Sequence, residues 1–190
     1  MKSKISSKGA ERRLLILHTV LRMIASGGVD SITHRRVAEK AGIALGSTTY
    51  YFESREHMIR EAFDLYILEV KQSMASLWPN SLTSLRQLVS NLVSWTNREF
   101  ENQELLLAEY EMVLYAARDP QVATSLHRWD ESMASGLADI LKKLGVKKPR
   151  DVAAILLNMI RGFELDGLSR SEIDTKQLEK RLKLVFADLS

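Results

Sequence analysis

No cysteine occurs among the 190 residues, which excludes disulfides and thiolate metal sites. Proline is nearly as scarce, three in all, and two of them, Pro79 and Pro120, mark breaks between helical patterns. Long apolar runs are missing as well. The longest, residues 14–17 and 153–157, fall far short of a bilayer span, and His18 and Arg22 interrupt any signal-peptide core near the N-terminus. The sequence therefore predicts a chain that stays in the cytoplasm. The four histidines, His18, His34, His57 and His127, are scattered, with no His-x-x-x-His pair or Glu-x-x-His arrangement to hold a metal. Neither a glycine-rich phosphate loop nor a Gly-x-Ser-x-Gly elbow is present. No enzyme activity and no cofactor are expected. Period-two alternation is absent too, so every segment reads as helix or loop and the fold class is all-α.

What the chain does have is an uneven charge. Residues 1–60 carry 11 Lys and Arg against 5 Asp and Glu, a net of +6, whereas residues 61–190 carry 16 against 19, a net of −3. A basic excess confined to one end suits a polyanionic partner. It coincides with a local pattern over residues 33–56. Thr33 can cap a short helix whose buried face is Val37, Ala38 and Ala41, and Gly42 supplies the left-handed backbone for a sharp turn, with Ile43 as its inner anchor. A second short helix over residues 45–52 bears hydroxyls at Ser47, Thr48, Thr49, Tyr50 and Tyr51, more than packing alone needs. Two short helices joined by a tight glycine turn, the second rich in hydrogen-bonding groups, form the arrangement that sets a recognition helix in the DNA major groove.

At these residues the sequence resembles the TetR family of transcriptional regulators. Ala38-Glu39-Lys40-Ala41-Gly42, Ile43 to Phe52, and Glu53-Ser54-Arg55 stand where that family has its helix-turn-helix signature. The resemblance covers residues 10–60. It implies DNA contacts from Thr33, His34 and Arg35 at the start of the supporting helix, from Thr49, Tyr50 and Tyr51 on the recognition helix, and from Arg55 beyond it. Leu45, Ser47 and Thr48 would lie near base edges. Three departures stand out: Ala44 replaces a usual Ser or Thr, removing a cap and a phosphate contact; Thr48 stands where an apolar Leu usually packs; and Thr49 stands where a Tyr usually reaches DNA. Base preference therefore cannot be carried over.

The rest follows in order. Residues 1–9, with Lys2, Lys4 and Lys8, read as a basic arm. A scaffold helix over residues 10–26 buries Leu14, Leu17, Leu21 and Ile24 and stops at Gly27-Gly28. Residues 1–53 would form the DNA-binding domain and 54–190 a helical domain for ligand binding and dimerisation. Ser54 caps a long helix with Ile59, Phe63, Tyr66, Val70 and Met74 inward, and a break at Trp78-Pro79-Asn80-Ser81 precedes a helix over residues 82–101, with Ser81 as its cap. Residues 104–118, apolar nearly all round, look central. A helix over residues 121–144 ends at Gly145. Two last helices, 151–168 and 174–189, carry more apolar surface than one core contact hides. Either both helices simply lie deep in a monomer, or, as expected here, Val152, Leu156, Leu178, Leu182, Val185 and Phe186 form a symmetric four-helix dimer interface, where Gly162 would permit close approach. Inward aromatic and Met side chains, Phe63, Tyr66, Trp95, Tyr110, Trp129, Met133, Met159 and Phe163, together with Val70, suit either a core or a pocket for a small organic ligand, with Glu109, Glu111 or Arg161 as a polar handle. The resemblance implies a homodimer that binds a palindromic double-stranded operator as a repressor and releases it when that ligand binds. The alternative is a regulator whose second domain answers to a protein partner.

Overall fold

A computed structural model describes residues 7–75 and 82–187. Among them are nine α-helices, one 3₁₀ turn (Val29–Ser31) and no strand: α1 (Ser7–Gly27), α2 (His34–Ala41), α3 (Leu45–Tyr51), α4 (Arg55–Ala75), α5 (Leu85–Glu101), α6 (Gln103–Ala116), α7 (Pro120–Lys143), α8 (Pro149–Arg170) and α9 (Thr175–Ala187). Residues 7–9, read as part of the arm, already belong to α1; residues 1–6, the break at 78–81 and the Met74 side chain lie outside the described residues.

Side-chain oxygens start most of these helices by accepting otherwise unpaired N–H groups of the first turn. Ser54 accepts from His57 at 3.0 Å at the head of α4, Asp119 from Gln121 and Val122 at the head of α7, and Asp174 from Gln177 at the head of α9. The cap of α5 is Ser84, which accepts from Gln87, rather than Ser81, which lies outside the described residues. At the end of α7, Gly145 takes φ 81°, and its N–H and that of Val146 return to the carbonyls of Lys142 and Leu141. This pair of bonds closes the helix as a glycine C-terminal motif.

The chain forms two compact units, one of Met1–Glu69 with Glu104–Ser125 and the other of Val70–Gln103 with Leu126–Ser190. They do not follow the linear division at residue 53. In the first unit, α1 packs on α2 and α2 on α3. Ile16, Leu17, Val20, Leu21 and Ile24 of α1, Ile32, Val37 and Ala38, and Phe52, Met58, Ile59 and Phe63 form its core. Leu14, expected on the buried face of α1, is 41% exposed, because Ile16 and Val20 turn that face away from it. Arg60 of α4 pairs with Asp119 at 2.9 Å. Burial alone would raise the Asp119 carboxyl, yet the bond from Arg60 and the N–H groups of Val122 and Gln121 outweigh it and hold the group below the usual aspartate range. The expectation that α6 is central holds for only one face. Leu106, Ala108 and Met112 are buried, while Leu107 and Leu114 are exposed. A helix apolar on all sides gives no period from which to read the covered face.

In the second unit α5, α8 and α9 pack on one another. Leu88, Leu92, Trp95 and Phe100 of α5, Val152, Leu156 and Ile160 of α8, and Leu178, Leu182 and Phe186 of α9 are its buried core residues. Each such side chain contributes about 1.5–3 kcal/mol on burial. Close approach here depends on Gly167, not Gly162. A Cβ on Gly167 would sit 2.8 Å from the Phe100 ring and 3.1 Å from the Glu172 carbonyl, whereas one on Gly162 would meet nothing within 4 Å.

The packing corrects the expected dimer interface. Leu156, Leu178 and Leu182 are 0% exposed in the single chain, Val152 and Phe186 are buried, and Val185 is half-buried. A side chain with no surface left has nothing to offer a second copy. The apolar surplus of α8 and α9 is covered largely by α5 and by each other. What stays outward is Ile155 and Leu165 on α8 and Leu184 on α9.

Candidate nucleic-acid interface

The first unit builds its outward surface on a short, rigid scaffold. Thr33, in extended backbone, accepts the Arg36 N–H and opens α2. At the other end Gly42 takes φ 66° and ψ 38°, and Gly42 and Ile43 donate back to Glu39 and Ala38 at 3.2 and 3.0 Å. No Cβ clash requires a glycine there, since nothing lies within 4 Å; the left-handed backbone does. Ala44 then starts α3 without any side-chain cap, as its missing hydroxyl dictates.

With α3 held this way, its residues divide by face. Ala44, Leu45, Thr49 and Tyr50 are exposed, Tyr50 to 80%, while Ser47 and Tyr51 are half-buried. Tyr51 sits edge-on to Tyr50 at 4.9 Å between ring centroids. An exposed Leu and Tyr on a seven-residue helix lose apolar surface to water unless something covers them. Thr48 does not belong to this surface. It is 0% exposed and its hydroxyl donates to the Leu45 carbonyl at 2.9 Å, with the His34 carbonyl at 3.4 Å. It fills the inward position that an apolar side chain would otherwise take, so the expectation that it lies near a base edge is corrected.

Arg55 is corrected likewise. Its Nε donates to the Ile32 carbonyl at 2.9 Å and its Nη2 to the Val29 carbonyl at 2.8 Å. Asp30 and Glu56 carboxylates lie at 3.4 and 3.2 Å. The guanidinium thus ties the head of α4 to the carbonyl end of the Val29–Ser31 turn, and its donors point into the protein rather than toward a phosphate. Beside it the Glu56 carboxyl is held below its ordinary value. Its own backbone N–H is the largest cause, and Arg55 adds to it against some desolvation.

Other cations stay outward. Arg35 and Arg36 are exposed at the start of α2, and neither has a carboxylate partner among the described residues. Arg36, unlike Arg35, is not singled out by the sequence motif; two successive cations after a helix cap are the signal that could have found it. His34 is half-buried, with its Nδ1 enclosed and without a hydrogen-bond partner.

The residues expected to line a ligand pocket divide between the units. Phe63, Tyr66 and Tyr110 belong to the first, the other six to the second. In the first, Phe63 and Tyr66 are buried and the Tyr66 hydroxyl donates to the buried Glu109 carboxylate. Glu111 lies beside Gly28. In the second, Val70, Trp95 and Trp129 are core residues and Met133 is half-buried. Arg161 pairs with Asp130 and lies over the Trp129 ring. Met159 and Phe163 come together elsewhere, in a groove of about 630 Å³ between α8 and α9, with Gly162, Asp166, Gln177 and Arg181. No group of carboxylates and histidines among the described residues could hold a metal ion, and no helix among them is long and apolar enough to cross a membrane.

Comparison with known proteins gives a consistent picture. Residues 83–188 match the family profile described as "Tetracyclin repressor-like, C-terminal domain", and residues 16–62 match "Bacterial regulatory proteins, tetR family". The HTH-type transcriptional repressor KstR of Rhodococcus jostii is 37% identical over 57 residues, 30% of this chain and 27% of that protein. The match thus spans about a quarter of the curated relative. A putative transcriptional regulator of Streptomyces coelicolor A3(2) is 26% identical, with 95% of this chain and 99% of that chain covered at a TM-score of 0.73. A putative regulator of Saccharomonospora viridis, solved in complex with choline, is 17% identical, with 94% and 96% covered at a TM-score of 0.77, and shows the shared fold.

Proposed function

Since the chain belongs to the TetR family of bacterial regulatory proteins, we propose that it is a cytoplasmic, homodimeric repressor that binds a palindromic operator and leaves it when a small organic ligand occupies the helical domain. One observation carries this reading: the capped α2, the left-handed Gly42 and the inward Thr48 together hold Leu45, Ser47, Thr49 and Tyr50 on one outward surface of α3. That surface offers hydroxyls for base edges and apolar contact for thymine methyls. Arg35 and Arg36 flank it as unpaired cations for phosphates.

Dimerisation is proposed through α8 and α9. Ile155, Met159, Gly162 and Asp166, spaced 4, 3 and 4 residues apart, share one face of α8. The last three line the groove against α9, whose Leu184 is also outward. A second copy covering these positions would remove exposed apolar surface from water.

For release, α4 is the proposed lever. It runs without a break from Arg55 to Ala75, so one helix begins in the first unit and ends in the second. Arg55 fastens its head to the turn before α2, so a tilt of α4 displaces the recognition helix rather than slipping past it. Ligand and operator then oppose each other with a coupling of about 1–3 kcal/mol. KstR is a repressor by name and a structural neighbour holds choline, which supports a repressor with a ligand of that general size. Gel shifts with duplexes from around the chain's own gene test the reading. One duplex is expected to bind at least about a thousandfold tighter than mixed-sequence DNA; equal affinity for all duplexes would overturn it.

A further inference from the structure

We infer that the cleft between the first turns of α1 and the outward side of α3 is a DNA-phosphate site held by Lys8 and Arg12, so that α1 is a DNA-contacting helix as well as a scaffold. The inference rests on the operator-binding reading and adds two residues and a helix to it.

Lys8 and Arg12 are four residues apart on α1 and therefore share a face. Both are exposed. They line a cleft of about 550 Å³ whose other wall is α3, through Gly46, Ser47, Tyr50 and Tyr51. The remaining cation of that stretch shows the contrast. Arg13 turns inward, pairs with Glu61 and lies 5.7 Å over the Phe52 ring, so it braces the unit. Lys8 and Arg12 have no carboxylate partner among the described residues, and the neighbouring Glu11 is not part of the lining.

Two unpaired cations facing a wall of hydroxyls suit a phosphodiester. The guanidinium and ammonium meet its negative charge, and the Tyr51 hydroxyl on the facing wall can donate to its oxygens. A free metabolite phosphate is a poorer fit, since the cleft opens on the same outward surface that presents the base-reading side chains of α3. A strand whose bases face Leu45 and Thr49 would bring its backbone along the α1 side. Such contacts fix the position of α3 without choosing a sequence.

Because phosphate contacts ignore sequence, a mixed-sequence duplex is a sufficient probe. The full-length Lys8→Ala/Arg12→Ala variant is compared with the parent protein between about 50 and 200 mM salt. Two lost phosphate contacts are expected to lower the slope of log affinity against log salt by about 1.8, so that the affinity gap between the proteins narrows about tenfold across that range. Arg12→Lys, which keeps the charge, is expected to retain most of the slope, and the thermal melt of the double variant should match the parent. An unchanged slope in the double variant overturns the inference while leaving the operator reading intact. A parent protein with no salt-dependent duplex binding removes both.

Discussion

Arg55→Ala is expected to lower the melting temperature by roughly 5–10 °C, with most of its loss of DNA binding following from that. The substitution deletes charge-assisted bonds to two backbone carbonyls, those of Ile32 and Val29; the Val29 carbonyl keeps the Ile32 N–H at 3.2 Å, whereas the Ile32 carbonyl loses the Arg55 donor. Bonds of this type contribute about 1.5–3 kcal/mol each when well made. The guanidinium is 29% exposed, so the sum is discounted to about 2–3 kcal/mol, which converts to the stated shift for a chain of this size. Arg55→Lys should rescue little, because a single ammonium cannot reproduce the forked geometry that reaches both carbonyls. A second consequence separates this role from a phosphate contact. If Arg55 is the joint between α4 and the turn before α2, the weakened protein should also respond less to a bound ligand. Unchanged thermal stability in Arg55→Ala, with the salt slope of DNA binding lowered by about one, would instead return Arg55 to the DNA surface.

The contrast between Arg55 and Gly42 shows what is legible in such a sequence. Gly42, Thr33 and Ser54 act through local rules, a left-handed turn and two caps, and their roles follow from their neighbours in the chain. Helix ends such as Gly145 are readable for the same reason. The partners of Arg55 are backbone carbonyls some 23 and 26 residues away, and a carbonyl leaves no mark in the sequence. Thr48 failed differently. On a helix of only seven residues the period is too short to say which hydroxyl turns inward, and a Thr can satisfy its own hydroxyl on the preceding turn, as this one does with Leu45. The departure from an apolar residue at that position was therefore a sign of packing.

On α8 and α9 the sequence shows a surplus of apolar residues but not what covers them. Leu156, Leu178 and Leu182 have the spacing of an interface and are buried by neighbours within the chain. Gly162 and Gly167 are indistinguishable in the sequence, yet only the second has an aromatic ring against it. The pocket set had the same weakness. Inward aromatic spacing fits core and pocket equally, and Trp95 and Trp129 proved to be core residues while Met159 and Phe163 open onto a groove.

The second large effect concerns assembly. Leu184→Glu is expected to convert the proposed dimer to monomers at micromolar concentration, with helical content retained. Leu184 is 58% exposed in the single chain, so a carboxylate there is harmless to the monomer, but at a dry interface it would lie unpaired at a cost of several kcal/mol. Operator affinity should fall by orders of magnitude, since a monomer meets one half-site and loses the gain from binding both at once. Phe186→Glu makes the control. Its side chain is buried within the chain, so that variant should lose folded structure rather than separate cleanly. Light scattering and circular dichroism on both variants distinguish the cases. A Leu184→Glu protein that remains dimeric and binds operator normally would exclude this part of α9 from the interface.

Selection of binding sites from randomised duplexes tests the outward surface of α3 most directly. The parent protein should enrich an inverted repeat whose half-site centres lie about one helical turn, roughly 34 Å, apart. Ser47→Ala/Thr49→Ala should enrich a repeat of the same spacing that has lost its preference at one or two positions, the same ones in each half. No enrichment by the parent protein, or an identical site from both proteins, would contradict the assignment of α3 as the helix that reads DNA.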